Sequence, residues 1–120
     1  MSTITINRGE TTSIPFSITD SANGLLNKRV TWAIAAAADC VRLLRKVGGL
    51  PGSTADITIT SQTAGAIAGT INMLAADYAL LTADTYAVSL WVDDGAGNDQ
   101  CVTTAGIDTL QIIDTVAREA

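Results

Sequence analysis

Period-two alternation of apolar and small polar residues runs through most of the chain. Ile4 and Ile6 alternate with Thr3 and Thr5, and Ile14, Phe16 and Ile18 with Ser13, Ser17 and Thr19. Val30, Trp32 and Ile34 fall on one side of the next segment, Thr31 and Ala33 on the other. Ile57 and Ile59 alternate with Thr58 and Thr60. Ile67, Gly69, Ile71 and Met73 oppose Ala66, Ala68 and Thr70. Tyr86, Val88, Leu90 and Val92 give the clearest alternation of all, and a last strand covers Thr109 to Ile113. Successive side chains on a strand leave opposite faces, so each of these segments is predicted to be a half-buried strand. Pro15 removes a ladder donor and places its strand at a sheet edge or a bulge. Asp20-Ser21-Ala22-Asn23-Gly24 and Asp94-Gly95-Ala96-Gly97-Asn98 read as turns, the second a hairpin from which the chain returns through Cys101-Val102-Thr103-Thr104. Seven or more short strands with frequent turns predict an all-β, antiparallel β-sandwich over residues 1–120, as a single domain. The predicted core is Ile14, Phe16, Ile18, Val30, Trp32, Ile34, Ile57, Ile59, Ile71, Tyr86, Val88, Leu90 and Leu110.

Two segments break the alternation. Residues 74–81 have helical spacing and are read as one helical turn joining two strands. Residues 35–46 carry helix-favouring alanines, yet Val41 to Val47 also alternates as a strand. The reading taken is a loop at 35–39 and a strand at 40–47.

Composition narrows the function. Charged residues make up only 16% of the chain, against the usual ~25%. Net charge is -5, histidine is absent, and mean hydropathy is +0.32. Such a chain is not disordered. Its acidic balance gives no general attraction to phosphate backbones, so no nucleic-acid partner is expected. Without histidine, Ser-His-Asp and Cys-His catalysis are excluded. No Met1–Arg8 signal pattern and no ~20-residue apolar run occur, so neither export by a signal peptide nor a membrane partner is expected. Cys40 and Cys101 read as free, partly buried thiols.

Few residues invite chemistry. Asp93, Asp94, Asn98 and Asp99 offer oxygen ligands for Ca²⁺, but no Glu closes the loop, so the turn reading leads and no metal is assigned. Asp39, Asp56 and Asp77 have no spacing that would pair two carboxylates, so no catalytic residue or cofactor is assigned. Asp84 and Tyr86 precede the strongest strand, where a Tyr hydroxyl closes the corner of an immunoglobulin-like sandwich. Trp91 alternates with Leu90 and Val92 and therefore points out of the core; a large outward aromatic in so uncharged a chain marks a contact surface. Arg42, Arg45 and Lys46 hold three of the seven cations and are read either as a solvated strand face or as an orienting rim beside Trp91. The expected binding residues are thus Trp91, Arg42, Arg45 and Lys46, beside outward Ser17, Thr31, Ala33, Thr58, Thr60, Ala66, Ala68, Thr70, Ala87 and Ser89. Residues 1–7 and 114–120 are expected to add contacts to neighbouring copies.

The order of these features resembles small immunoglobulin-like domains from the virions of tailed bacteriophages, such as the N-terminal domain of baseplate upper proteins. The resemblance is carried by Ile4-x-Ile6-x-Arg8-Gly9-Glu10-Thr11, Ile14-Pro15-Phe16-Ser17-Ile18-Thr19-Asp20, Asn23-Gly24-Leu25, Val30-Thr31-Trp32-Ala33-Ile34, Ala75-Ala76-Asp77, Thr85 to Asp93, and Ala105-Gly106. It spans nearly the whole chain as strand order and punctuation. Val88 stands where an antibody-type domain has its strand-F cysteine, and, unlike baseplate upper proteins with their long receptor-binding scaffold, a free-standing domain is expected from a sequence ending Arg118-Glu119-Ala120. The resemblance implies a non-enzymatic virion structural protein made in the bacterial host cytoplasm. Its first reading is a capsid decoration or cement protein on the major capsid protein, in repeated copies or as a homo-oligomer. A tail or baseplate docking module is the alternative, and a secreted carbohydrate-binding or adhesive domain a more distant one.

Overall fold

A computed structural model describes residues 2–19, 24–37, 41–79, 81–97, 100–102 and 107–113. Among these, nine strands follow one another: β1 (Ser2–Asn7), β2 (Thr12–Thr19), β3 (Arg29–Ala36), β4 (Arg42–Val47), β5 (Ile57–Gln62), β6 (Ala66–Met73), β7 (Asp84–Asp93), β8 (Gln100–Val102) and β9 (Ile107–Ile113). They form two sheets. The larger has the order β1-β9-β7-β3-β4, with β8 pairing the distal half of β7; the smaller has the order β2-β6-β5. Pairings are antiparallel except β1 with β9, which run parallel. This distribution of strands between two sheets is that of an immunoglobulin-like sandwich whose larger sheet carries an added edge strand, here β4.

The alternation decides which side chains lie between the sheets. Val30, Trp32 and Ile34 of β3 and Tyr86, Val88, Leu90 and Val92 of β7 meet Ile14, Phe16, Ile18, Ile67 and Ile71 of the smaller sheet, all buried. The predicted core is present, with Ile59 only partly buried and Ile6, Leu25, Ile67, Met73, Tyr78, Leu81, Val92 and Ile112 added to it. Pro15 lies exposed on β2, an edge strand, where no neighbour needs its missing N–H. Gly69 is required where it stands. A Cβ there would run into the carbonyl oxygen of Thr58 on β5, beside the bulge that accommodates Thr60.

The link between β6 and β7 is a 3₁₀ turn over Ala75–Ala79, within the predicted 74–81. Next to it the Tyr86 hydroxyl donates to the Thr82 carbonyl at 2.7 Å, the corner that its place at the start of β7 predicts. Other expectations need correction. Ala35 and Ala36 belong to β3 rather than to a loop, because they pair with Ala87 and Tyr86; the strand reading of the following segment stands. The N-terminal segment is ordered: Ser2–Asn7 is the edge strand of the larger sheet and pairs along one side with β9. Cys40, residues 114–120 and the side chain of Cys101 lie outside what is described, and so do the expectations placed on them. No helix among the described residues is long and apolar enough to cross a membrane.

Candidate functional site

The outer face of the larger sheet carries a groove of about 510 Å³. Its floor is built by register. Thr31 stands opposite Trp91, Ala33 opposite Ser89, and Ala35 opposite Ala87, so small side chains fill the middle of β3 and β7. On one side rises Trp91, half-buried. Its indole Nε1–H donates to Ser89 Oγ at 2.8 Å, which fixes the ring plane against the sheet. On the other side rise Arg45, opposite Ala33, and Arg42, opposite Ala35. Both arginines are exposed, and neither has a hydrogen-bond or ion-pair partner among the described residues.

Two arginines three residues apart on a regular strand would face opposite ways. Here they share a face because β4 is bulged. Leu44 pairs with Ile34 and Arg42 with Ala35, leaving Leu43 as an extra residue. Leu43 and Leu44 both pack against the core. The bulge thus returns Arg42 to the outer face.

One end of the groove is closed by an ion pair on the first row of β3. Arg29 Nε and Nη2 donate to the two carboxylate oxygens of Asp93 at 3.1 and 2.8 Å, a two-point match of fork to carboxylate. Asp93 also accepts from the Gly95 N–H at 3.0 Å, and Asp94 accepts from the Ala96 N–H at 2.8 Å. These two carboxylates, considered above as calcium ligands, are thereby used in a turn; Gly95 and Gly97 hold the positive φ angles, 80° and 90°, that the turn needs. Asn98 and Asp99 lie outside the described residues. The loop that delivers Arg29 is itself pinned, since Gln62 Nε2 donates to the carbonyls of Leu25 and Lys28.

Lys46 is not on this surface. It pairs with Trp32 across the sheet and shares its inward orientation, with a side-chain exposure of 2%. Its Nζ donates to Asp77 Oδ2 at 2.7 Å and approaches Asp56 Oδ1 at 3.3 Å. Asp77 accepts in addition from the Leu74 N–H, and Asp56 from the Val47 N–H. The expected orienting cation is therefore an internal cross-link between the larger sheet, the 3₁₀ turn and the approach to β5. A buried ammonium needs partners at that depth, and the alternation of β4 leaves it no route to water. Asp56 and Asp77 do come together, as ligands of one lysine.

Trp91, Arg42 and Arg45 are thus brought together and Lys46 is removed from the set. Arg29 was not foreseen, because only the β3–β7 register shows that it meets Asp93. The outward small residues also divide. Thr31, Ala33, Ala87 and Ser89 share the face of Trp91, while Ser17, Thr58, Thr60, Ala66, Ala68 and Thr70 belong to the smaller sheet.

No protein-family model matches the chain, and no curated protein matches it. Among solved structures, the chain is similar to one described as a photo-crosslinking analysis of multimeric cell-adhesive interactions of VGSC beta subunits. The identity is 16% over 95% of this chain and 93% of that one, with a TM-score of 0.44. The immunoglobulin-like β-sandwich assigned to this chain rests on its own strand order and on the Tyr86 corner.

Proposed function

We propose that the chain is a non-enzymatic docking domain of a virion, a decoration or cement protein that binds the major capsid protein through the outer face of its larger sheet. One observation carries the docking part: a groove floored by Thr31, Ala33, Ala35, Ala87 and Ser89 and flanked by Trp91, Arg42 and Arg45. Small side chains lose little rotamer entropy when covered and let another backbone approach closely. A half-buried Trp with its polar atom already satisfied is suited to anchor a partner. The virion setting is supported by the strand-by-strand resemblance in sequence. A tail or baseplate module would use the same face.

Quantitative mass spectrometry of purified particles tests the setting. Hundreds of copies per particle support decoration, a few to some dozens support the tail, and absence rejects both. Trp91→Ala tests the face. The variant is expected to fold normally and to bind particles about 2 kcal/mol more weakly, as for an interface anchor. Unchanged binding removes this face from the interaction.

A further inference from the structure

We propose that the groove receives an extended acidic segment of a protein partner, laid along β3, with two carboxylate side chains at alternate positions. This deepens the docking reading above and rests on it. Three features of the groove select the occupant. The first is charge. The lining side chains include three arginines and one aspartate. Arg29 and Asp93 satisfy each other, which leaves the positive charge of Arg42 and Arg45 facing the groove of a chain whose net charge is -5. An arginine fork matches a carboxylate in two-point geometry, and both forks are free of partners among the described residues.

The second feature is spacing. Arg45 and Arg42 are registered opposite Ala33 and Ala35, two residues apart on β3. That places them about 7 Å apart along the strand direction, the repeat between same-side residues of an extended chain. Carboxylates on residues i and i+2 of an extended segment meet both arginines at once, whereas adjacent carboxylates point to opposite sides. The third feature is shape. The groove runs along β3 from the Arg29–Asp93 pair to Ala35, between walls on β4 and β7 that stand two strand spacings, roughly 10 Å, apart. A single extended chain fits that width. Its residue i+1 then faces Ser89, Ala87 and the Trp91 ring, so a small or apolar residue belongs there.

The test is a titration of the whole chain, followed by tryptophan fluorescence and by calorimetry. The probe is a capped Thr-Asp-Val-Asp-Thr peptide. Its comparators are the same peptide with both Asp replaced by Asn, and a Thr-Asp-Asp-Val-Thr peptide. Saturable binding of the first peptide is expected, with each comparator at least about tenfold weaker, and with Arg42→Ala and Arg45→Ala each costing a similar factor. Retained far-UV spectra show that these exposed variants fold. Equal binding of the Asn peptide, equal binding of the adjacent-Asp peptide, or indifference to both arginine variants overturns the proposal. So does tight binding of an alginate oligosaccharide without binding of the peptide, or a self-association that Arg42→Glu/Arg45→Glu abolishes while the peptide stays inert. The two levels separate cleanly. Particle binding that depends on Trp91 while the peptide fails leaves docking standing without this occupant. Peptide binding by a protein absent from particles does the reverse.

Discussion

Tyr78 shows how one side chain records its surroundings. Its hydroxyl donates to the Glu10 carbonyl at 2.7 Å under the 3₁₀ turn. Burial, with the negative charges of Glu10 and Asp77 nearby, raises its pKa from 10.0 to about 12. The fold therefore favours the protonated phenol. Its contribution to stability is complete below pH 10 and is lost as pH rises through about 12. Denaturant midpoints of the wild type should fall across that window, and those of Tyr78→Phe should fall less; parallel curves would refute the assignment. Lys46 makes the opposite kind of statement, a charge held inside by two carboxylates. Lys46→Ala leaves Asp56 and Asp77 facing each other without a cation. The expected loss is about 3 kcal/mol, at the lower end for a broken buried pair because Asp56 still reaches water. Urea unfolding measures it, and a loss below half of that would mean that solvent replaces the ammonium. From the sequence, Lys46 belonged with Arg42 and Arg45 because three cations in five residues look like one surface. Plain alternation turns Lys46 away from its neighbour Arg45, and a bulge brings Arg42 round to Arg45's side; nothing in a strand's composition states where the ladder gains a residue. The doublet Leu43-Leu44 between two arginines was the available sign.

Strands are where the sequence is most legible, because burial of one face enforces a period of two. β2, β3, β6 and β7 follow their predicted faces residue by residue. The segment 35–47 was harder, since alanines fit a helix as well as a sheet and only pairing with β7 draws Ala35 and Ala36 into β3. Cross-strand partners were beyond reach for the same reason: Arg29 and Asp93 are 64 residues apart, and register depends on the whole sheet. The pairing of β6 with β5 yields a sharp prediction. Gly69→Ala adds a methyl group against the Thr58 carbonyl, which the ladder holds in place, and should destabilise the fold by about 3 kcal/mol. Leu90→Ala at the centre of β7 should cost about 2–5 kcal/mol through a cavity instead. A Gly69→Ala variant within half a kcal/mol of wild type in thermal or urea unfolding would show that β5 can shift.

At the scale of the molecule, the two sheets expose unlike outer faces. The larger bears the arginines and Trp91, and the smaller bears Thr, Ser and Ala from β2, β5 and β6. Composition anticipated a surface poor in charge but could not apportion it, because that depends on which strands share a sheet. The parallel pairing of β1 with β9 has a mechanical consequence. The start of β1 and the end of β9 lie at opposite ends of their shared ladder. Tension applied at Ser2 and Ile113 therefore slides the two strands past each other and loads the rungs from Thr3 to Asn7 together, instead of peeling them one at a time. A pull across β3 and β4, an antiparallel pair joined at one end, would peel. Single-molecule stretching through the β1 and β9 ends should accordingly need a distinctly higher force than stretching through Arg29 and Val47, and equal forces would mean that the β1–β9 ladder is not what resists. A domain anchored at one end and tugged at the other would meet that tension along its strongest direction.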